Sequence, residues 1–215
     1  MSVDLSNPTR SVAPTLDMPA LACLSRQDRP WTTREVADAT GSTTTGARLT
    51  LERLVRNGLV IRSQIGRVRG YQFNAEHVMA GPIRELVNAQ AILRRRITDQ
   101  VAAWPISAEL LVLFGSTARD EADADSDVDL LLLHAELDRA EQDAWQEQID
   151  DLKRSIHIWS GNDSDVLSFT IAEWSEHRRR TDPITRTVTE ACIVLAGQRS
   201  LLTATVSEVD ATMRL

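Results

Sequence analysis

The sequence predicts an α/β (α+β) chain in two parts: a small helix-turn-helix and hairpin unit, then a small mixed sheet flanked by helices. Three observations predict it. Two apolar runs of branched residues, Leu110–Phe114 and Val128 to Leu133, read as short buried strands on either side of a small-residue turn and an acidic loop. Two short capped helices followed by two β-rich runs precede them, and amphipathic segments of helical period follow.

At 215 residues the chain has ample length for a real core, and 42% hydrophobic with 26% charged residues excludes wholesale disorder. No apolar run approaches the roughly 20 residues of a membrane helix, and residues 1–10 lack a basic-then-apolar leader, so no membrane partner and a cytoplasmic location are expected. Cys23 and Cys192 lie among apolar residues far apart and read as buried free thiols. The four histidines have no metal-ligand spacing.

Charge is uneven. Net charge is −7, yet residues 21–75 hold nine Arg against four acids, an excess of +5 that leaves −12 elsewhere. A basic first part beside an acidic second suggests a nucleic-acid partner for the first.

In chain order, residues 1–15 read as a flexible tail and residues 16–25 as a helix. Thr32-Thr33-Arg34-Glu35 is a capping box opening a helix that Gly41 ends; Ser42 is expected to cap a second helix, stopped by Gly58. Runs 59–63 and 71–74 are strands joined by an Arg-bearing loop over 64–70. Residues 75–104 read as one long helix, bearing the basic patch Arg94-Arg95-Arg96 and a candidate dimer contact. After the sheet's first two strands come a helix over 137–159, a strand over 166–171, helices over 173–180 and 183–192, and an apolar run at 193–196.

Chemistry concentrates in the turn and loop. Gly115 and Ser116 lack bulk at the end of the first strand, so backbone N–H groups and a hydroxyl can approach a phosphate. Asp127 and Asp129 are two apart, so alternation puts both carboxylates on one face, where a cation between them offsets their repulsion; hard oxygen ligands suit Mg²⁺. An EF-hand is excluded, because Val128 stands where the turn glycine belongs and His134 where the bidentate Glu belongs.

Gly115-Ser116, ten residues, then Asp127-Val128-Asp129 resembles the signature of the nucleotidyltransferase superfamily that includes DNA polymerase beta, and most closely its minimal nucleotidyltransferases. Arg119 and Ser126 also stand at that group's positions, while Asp120 replaces its usual Gly and adds negative charge beside the phosphate site. The resemblance implies Mg²⁺ (or Mn²⁺) on Asp127 and Asp129, an NTP, with ATP the expected one, held by Gly115, Ser116, Arg119 and Ser126, and transfer of a nucleoside monophosphate to an RNA, protein or small-molecule hydroxyl. It also implies a third carboxylate on a later strand. Only Ser168 is expected at an inward position of the strand over 166–171, so Asp165, or else Asp163, at its entrance is the candidate.

The helix-turn-helix and hairpin, with the phrase Leu54-Val55-Arg56-Asn57-Gly58-Leu59-Val60, resembles the winged-helix domain of bacterial transcription regulators. That resemblance implies DNA contacts from Thr43, Thr44, Thr45 and Arg48 on the second helix and from Arg62, Arg67 and Arg69 on the wing. The expected organisation is a tail at 1–15, a winged helix-turn-helix domain at 16–75, a linker helix at 76–104 and a nucleotidyltransferase domain at 105–215. The alternative is a DNA-binding regulator or antitoxin whose second domain binds NTP with little or no catalysis. Minimal nucleotidyltransferases often occur in toxin-antitoxin pairs, and either reading fits that setting.

Overall fold

The computed structural model describes residues 3–5, 8, 15–66, 68–119, 121–123 and 126–203. Arg67, Asp120 and residues 204–215 lie outside the described residues. The chain divides into two compact units, Asn7–Gln90, and Ala91–Leu215 together with Met1–Ser6.

The unit Asn7–Gln90 contains α1 (Asp17–Ser25), β1 (Trp31–Thr32), α2 (Thr33–Thr40), α3 (Thr44–Arg56), β2 (Val60–Ile65), β3 (Val68–Phe73) and α4 (Ala80–Val87). Thr32 and Glu35 cap α2 reciprocally, and Gly41 ends it at φ 63° in the left-handed region. Ser42 is not the cap of α3. Thr43 is, its hydroxyl accepting from the Gly46 N–H, while Ser42 Oγ pairs with Thr40 Oγ1 at 2.9 Å. The expected seven-residue wing loop is mostly strand: β2 and β3 pair as far as Ile65 and Val68, and Gly66 follows β2 at φ 59°. β1, which has too few residues for a sequence period, adds antiparallel to β3, so the sheet order is β1-β3-β2. Leu21, Leu24, Val36, Leu51, Leu54, Tyr71, Phe73 and Ile83 form its core.

The predicted single helix over 75–104 is two, α4 and α5 (Ala89–Ala102), separated at Asn88. Asn88 donates its N–H back to Arg84 and Glu85 at φ −96°, ψ 12°, a conformation that closes α4 instead of extending it. Pro82 sits in the first turn of α4, where a missing N–H costs nothing.

The other unit holds β4 (Leu110–Phe114), α6 (Gly115–Ala118), β5 (Val128–His134), α7 (Arg139–Ser160), β6 (Ser164–Thr170), α8 (Ile171–Arg179), α9 (Pro183–Glu190), β7 (Ile193–Gly197) and a 3-10 turn at Arg199–Leu202. Its sheet has the order β6-β5-β4-β7, with β5 and β6 parallel and the other pairs antiparallel. Central position explains the unbroken apolar runs of β4 and β5: both faces are covered, so every side chain is buried except at the carboxylate end. One face packs on α5 and α7 through Leu93, Ile97, Trp145, Ile149, Leu152 and Ile156; the other packs on α8 and α9 through Ile171, Trp174 and Val188. The expected tail is in part structured, because Leu5 is 3% exposed within the α5 and α7 core. Cys23 and Cys192 are free, as expected, but only partly buried.

Candidate active site

Strand ends bring the acidic residues together. Phe114 is opposite Asp129 in the β4 and β5 pairing, and Asp129 is in register with Asp165 on β6. Alternation then sets Asp129, Leu131 and Leu133 on one face, continued across β6 by Asp165, Leu167 and Phe169. Because β6 starts at Ser164, Asp165 lies within the strand rather than at its entrance. Ser168 is on the opposite face, where its Oγ accepts from Trp145 Nε1 at 2.8 Å, so Leu167 and not Ser168 follows Asp165 on the acidic face. Asp163 is turned to another partner, His157 Nδ1, at 3.1 Å.

Electrostatics mark the same point. Asp129 is half-buried and its carboxyl is pushed up to about 6, first by burial, then by the charges of Asp165 and Asp127; Arg119 pulls the other way. A half-buried carboxylate whose ionisation is disfavoured by burial and by two neighbouring carboxylates, with one guanidinium in opposition, makes a place where added positive charge is stabilising. Asp127 and Asp165 are exposed, and among the described residues no three His, Cys, Asp or Glu side chains converge as a ready-made metal cluster.

The turn before the acids is shaped for close approach. Gly115 has φ 72°, and a Cβ there would lie 2.9 Å from Asp129 Cγ and closer still to its Oδ2, so no other residue fits without displacing that carboxylate. Thr117, buried, donates its hydroxyl to the Asp127 carbonyl at 3.2 Å, fastening the turn to the start of β5. Arg94 Nη2 donates to the Thr117 carbonyl at 3.5 Å. Ser116 is half-buried, its carbonyl accepting from the N–H groups of Arg119 and Glu121. Arg119 is paired with Glu121 at 2.7 Å. Ser126 organises the loop, its Oγ accepting from the Asp123 N–H at 2.9 Å and donating to Asp123 Oδ1 at 2.8 Å.

Two contributors were not legible in the sequence. Thr117 lies inside the turn motif, and Asn162 follows Gly161 with the composition of an ordinary turn. Asn162 is 2% exposed, and its Nδ2 donates to the Ser126 carbonyl at 3.0 Å.

In the unit Asn7–Gln90, Thr44, Thr45 and Arg48 are exposed on the first turns of α3, with the Thr43 hydroxyl engaged in the cap. Arg62 is exposed on β2, and Arg69 on β3 is exposed and paired with Glu52 at 3.3 Å. Arg67 falls outside the described residues.

Against known proteins, no curated sequence matches. Among solved structures, one of a toxin-antitoxin with AMP-PNP has 19% identity and a TM-score of 0.38, covering 56% of this chain and 90% of that one. A nucleotidyltransferase from Sulfolobus solfataricus has 18% identity and a TM-score of 0.31, over 50% and 83%. The YusO protein from Bacillus subtilis has 19% identity and a TM-score of 0.33, over 44% and 69%. At such scores none of these overlaps assigns an activity. The family described as nucleotidyltransferase domain matches residues 95–181, a stretch that contains β4, the Gly115 turn, β5 with Asp127 and Asp129 at its head, α7 and β6 with Asp165.

Proposed function

We propose that the protein is a metal-dependent nucleotidyltransferase, moving a nucleoside monophosphate from an NTP, with ATP the expected donor, to an acceptor hydroxyl on RNA, protein or a small molecule. The observation that carries the reading is the half-buried Asp129, raised to about 6 beside Asp127 and Asp165 and fitted against Gly115, where a Cβ would displace its carboxylate.

The donor set fits a hard divalent cation: carboxylate oxygens only, on adjacent strand ends, with mutual repulsion that a cation relieves. Asp127 and Asp129 would hold Mg²⁺ or Mn²⁺, with Asp165 alongside. A cation held there would supply positive charge against the triphosphate. Gly115 and Ser116 take the β and γ phosphates through backbone N–H groups and the hydroxyl, since nothing projects from Gly115 to keep a phosphate away. Arg119 exchanges Glu121 for a phosphate oxygen, and Ser126 keeps the loop before Asp127 in shape. Asp165, the carboxylate in register with Asp129, accepts the proton of the acceptor hydroxyl as its oxygen bonds to the α-phosphorus. The bond to the bridging oxygen breaks, and pyrophosphate leaves.

The unit Asn7–Gln90 is proposed as a winged helix that binds DNA. The reading rests on α2 and α3 joined by a Gly41 turn, a hairpin after α3, exposed Thr44, Thr45 and Arg48 at the head of α3, and exposed arginines on the hairpin. It gives the transferase a location or regulates its own synthesis.

The test is incubation of the purified protein with each α-labelled NTP and Mg²⁺, with and without total RNA or cell lysate. Transfer that disappears in Asp127→Asn with Asp129→Asn establishes the enzyme and its acceptor class. Mg·NTP binding without transfer from any NTP would turn the reading to an NTP-binding regulator. Unchanged NTP affinity in the double variant would remove the site altogether.

A further inference from the structure

Asn162 is strongly buried beside the site, and it joins three distant stretches of chain. It follows Gly161, which ends α7 at φ 75°, and precedes β6. Its Oδ1 accepts from the Val3 N–H at 3.3 Å, and its Nδ2 donates to the carbonyls of Val3 at 3.2 Å and Ser126 at 3.0 Å. The Val3 N–H is shared with the Ser160 carbonyl at 3.1 Å. Leu5, 3% exposed, anchors the same segment in the core with Leu93 and Ile97.

The amide can be oriented in one way only. Two of its partners are carbonyls, which accept, and one is an N–H, which donates; a flipped amide would lose all three bonds. Its own backbone N–H donates to Ser160 Oγ at 3.2 Å, so the residue cannot turn away either. Ser126 immediately precedes Asp127, and the residue after Asp127, Val128, donates its N–H to the Asp163 carbonyl at 2.9 Å. The chain on each side of Asp127 is therefore fixed by neighbouring residues, 162 and 163, of a different segment.

We propose that Asn162 is a positioning residue for Asp127, and that Val3–Leu5 is a clamp holding the Asn162 amide in the orientation that fixes the start of β5. The proposal rests on Asp127 being a metal ligand as argued above, but the clamp itself does not. Residues at the start of the chain, far from Asp127 in sequence, thereby belong to its supporting shell, and whatever frees Val3–Leu5 loosens the carboxylate. Outer partners of this kind set metal affinity by keeping a ligand in place before the ion arrives.

The experiment uses three proteins: the wild-type full chain, the full chain with Asn162→Leu, which keeps bulk without polar atoms, and a version lacking residues 1–5 with Asn162 intact. Hydrogen exchange of the 126–129 amides and Mn²⁺ affinity by electron paramagnetic resonance are measured. Exchange about tenfold faster in both variants, with α7 amides unaltered, is expected. Mn²⁺ affinity falls about 10- to 100-fold in both. Unaltered exchange at 126–129 in a folded variant overturns the clamp, and faster exchange with unaltered Mn²⁺ affinity overturns the positioning role. If Asn162→Leu fails to fold, the shortened chain decides on the same two readouts. If wild type takes up no Mn²⁺, the metal reading fails and the exchange still decides the clamp.

Discussion

Gly115 and Asp129 depend on each other. A side chain at 115 meets two penalties, the left-handed φ of 72° and overlap with the Asp129 carboxylate. Gly115→Ala should lower stability by about 1–2 kcal/mol from the backbone alone, and more if Asp129 is pushed out. Urea unfolding checks the first effect and NTP titration the second, where loss of binding is expected. Asp129 itself opposes folding at neutral pH. Its folded carboxyl titrates at about 6 against 3.8 as its ordinary value, so above about pH 6 both states are ionised and the full penalty of burying that charge is present. As pH falls from 6 toward 4 the folded state takes up the proton first, and stability rises through that window. Asp129→Asn should therefore stabilise the metal-free protein at pH 7 by about 1–2 kcal/mol, discounted by roughly half for its solvent contact, and change nothing below about pH 4. Unfolding curves at pH 4 and pH 7 decide it, since an equal effect at both would mean that the charge of Asp129 is not the cause.

At the scale of elements, legibility followed the range of the forces involved. α7 was readable because its cues are local: Trp145, Ile149, Leu152 and Ile156 recur at helical spacing and are all buried, and Asp138 and Glu141 form a reciprocal cap. Asp138→Ala should cost about 1 kcal/mol, read as a lower urea midpoint. The Gly115 turn and the two central strands were readable for the same reason, as punctuation between apolar runs. What escaped depended on pairing across the sheet. Ser168 is off the acidic face because alternation alone does not say which set of residues faces Asp129, and the pairing of Asp129 with Asp165 settles it. β1 exists only because β3 offers its edge, and the break at Asn88 turns on where one N–H finds its acceptor. Asn162 looks like any turn residue until Val3 and Ser126 are brought to it by the fold.

Over the whole molecule, charge is unevenly distributed. A chain of net charge −7 should be repelled by DNA unless its positive charge is gathered, and residues 21–75 gather an excess of +5. Part of that excess is already engaged: Arg29 with Glu35, Arg53 with Asp17, and Arg69 with Glu52. These pairs are exposed and weak, so a phosphate can replace the carboxylate on Arg69 at little cost. If the hairpin meets DNA, each arginine that neutralises a phosphate releases counterion, and the logarithm of affinity falls with the logarithm of salt by about 0.9 per contact. Arg62→Ala with Arg69→Ala should flatten that slope by about 2 and weaken binding to all sequences alike. Asp127→Asn should leave it unchanged, because that carboxylate belongs to the other unit. A slope unaltered in the arginine variant would take the hairpin out of any DNA contact. A loss of affinity confined to one DNA sequence would instead assign these arginines to base edges rather than phosphates.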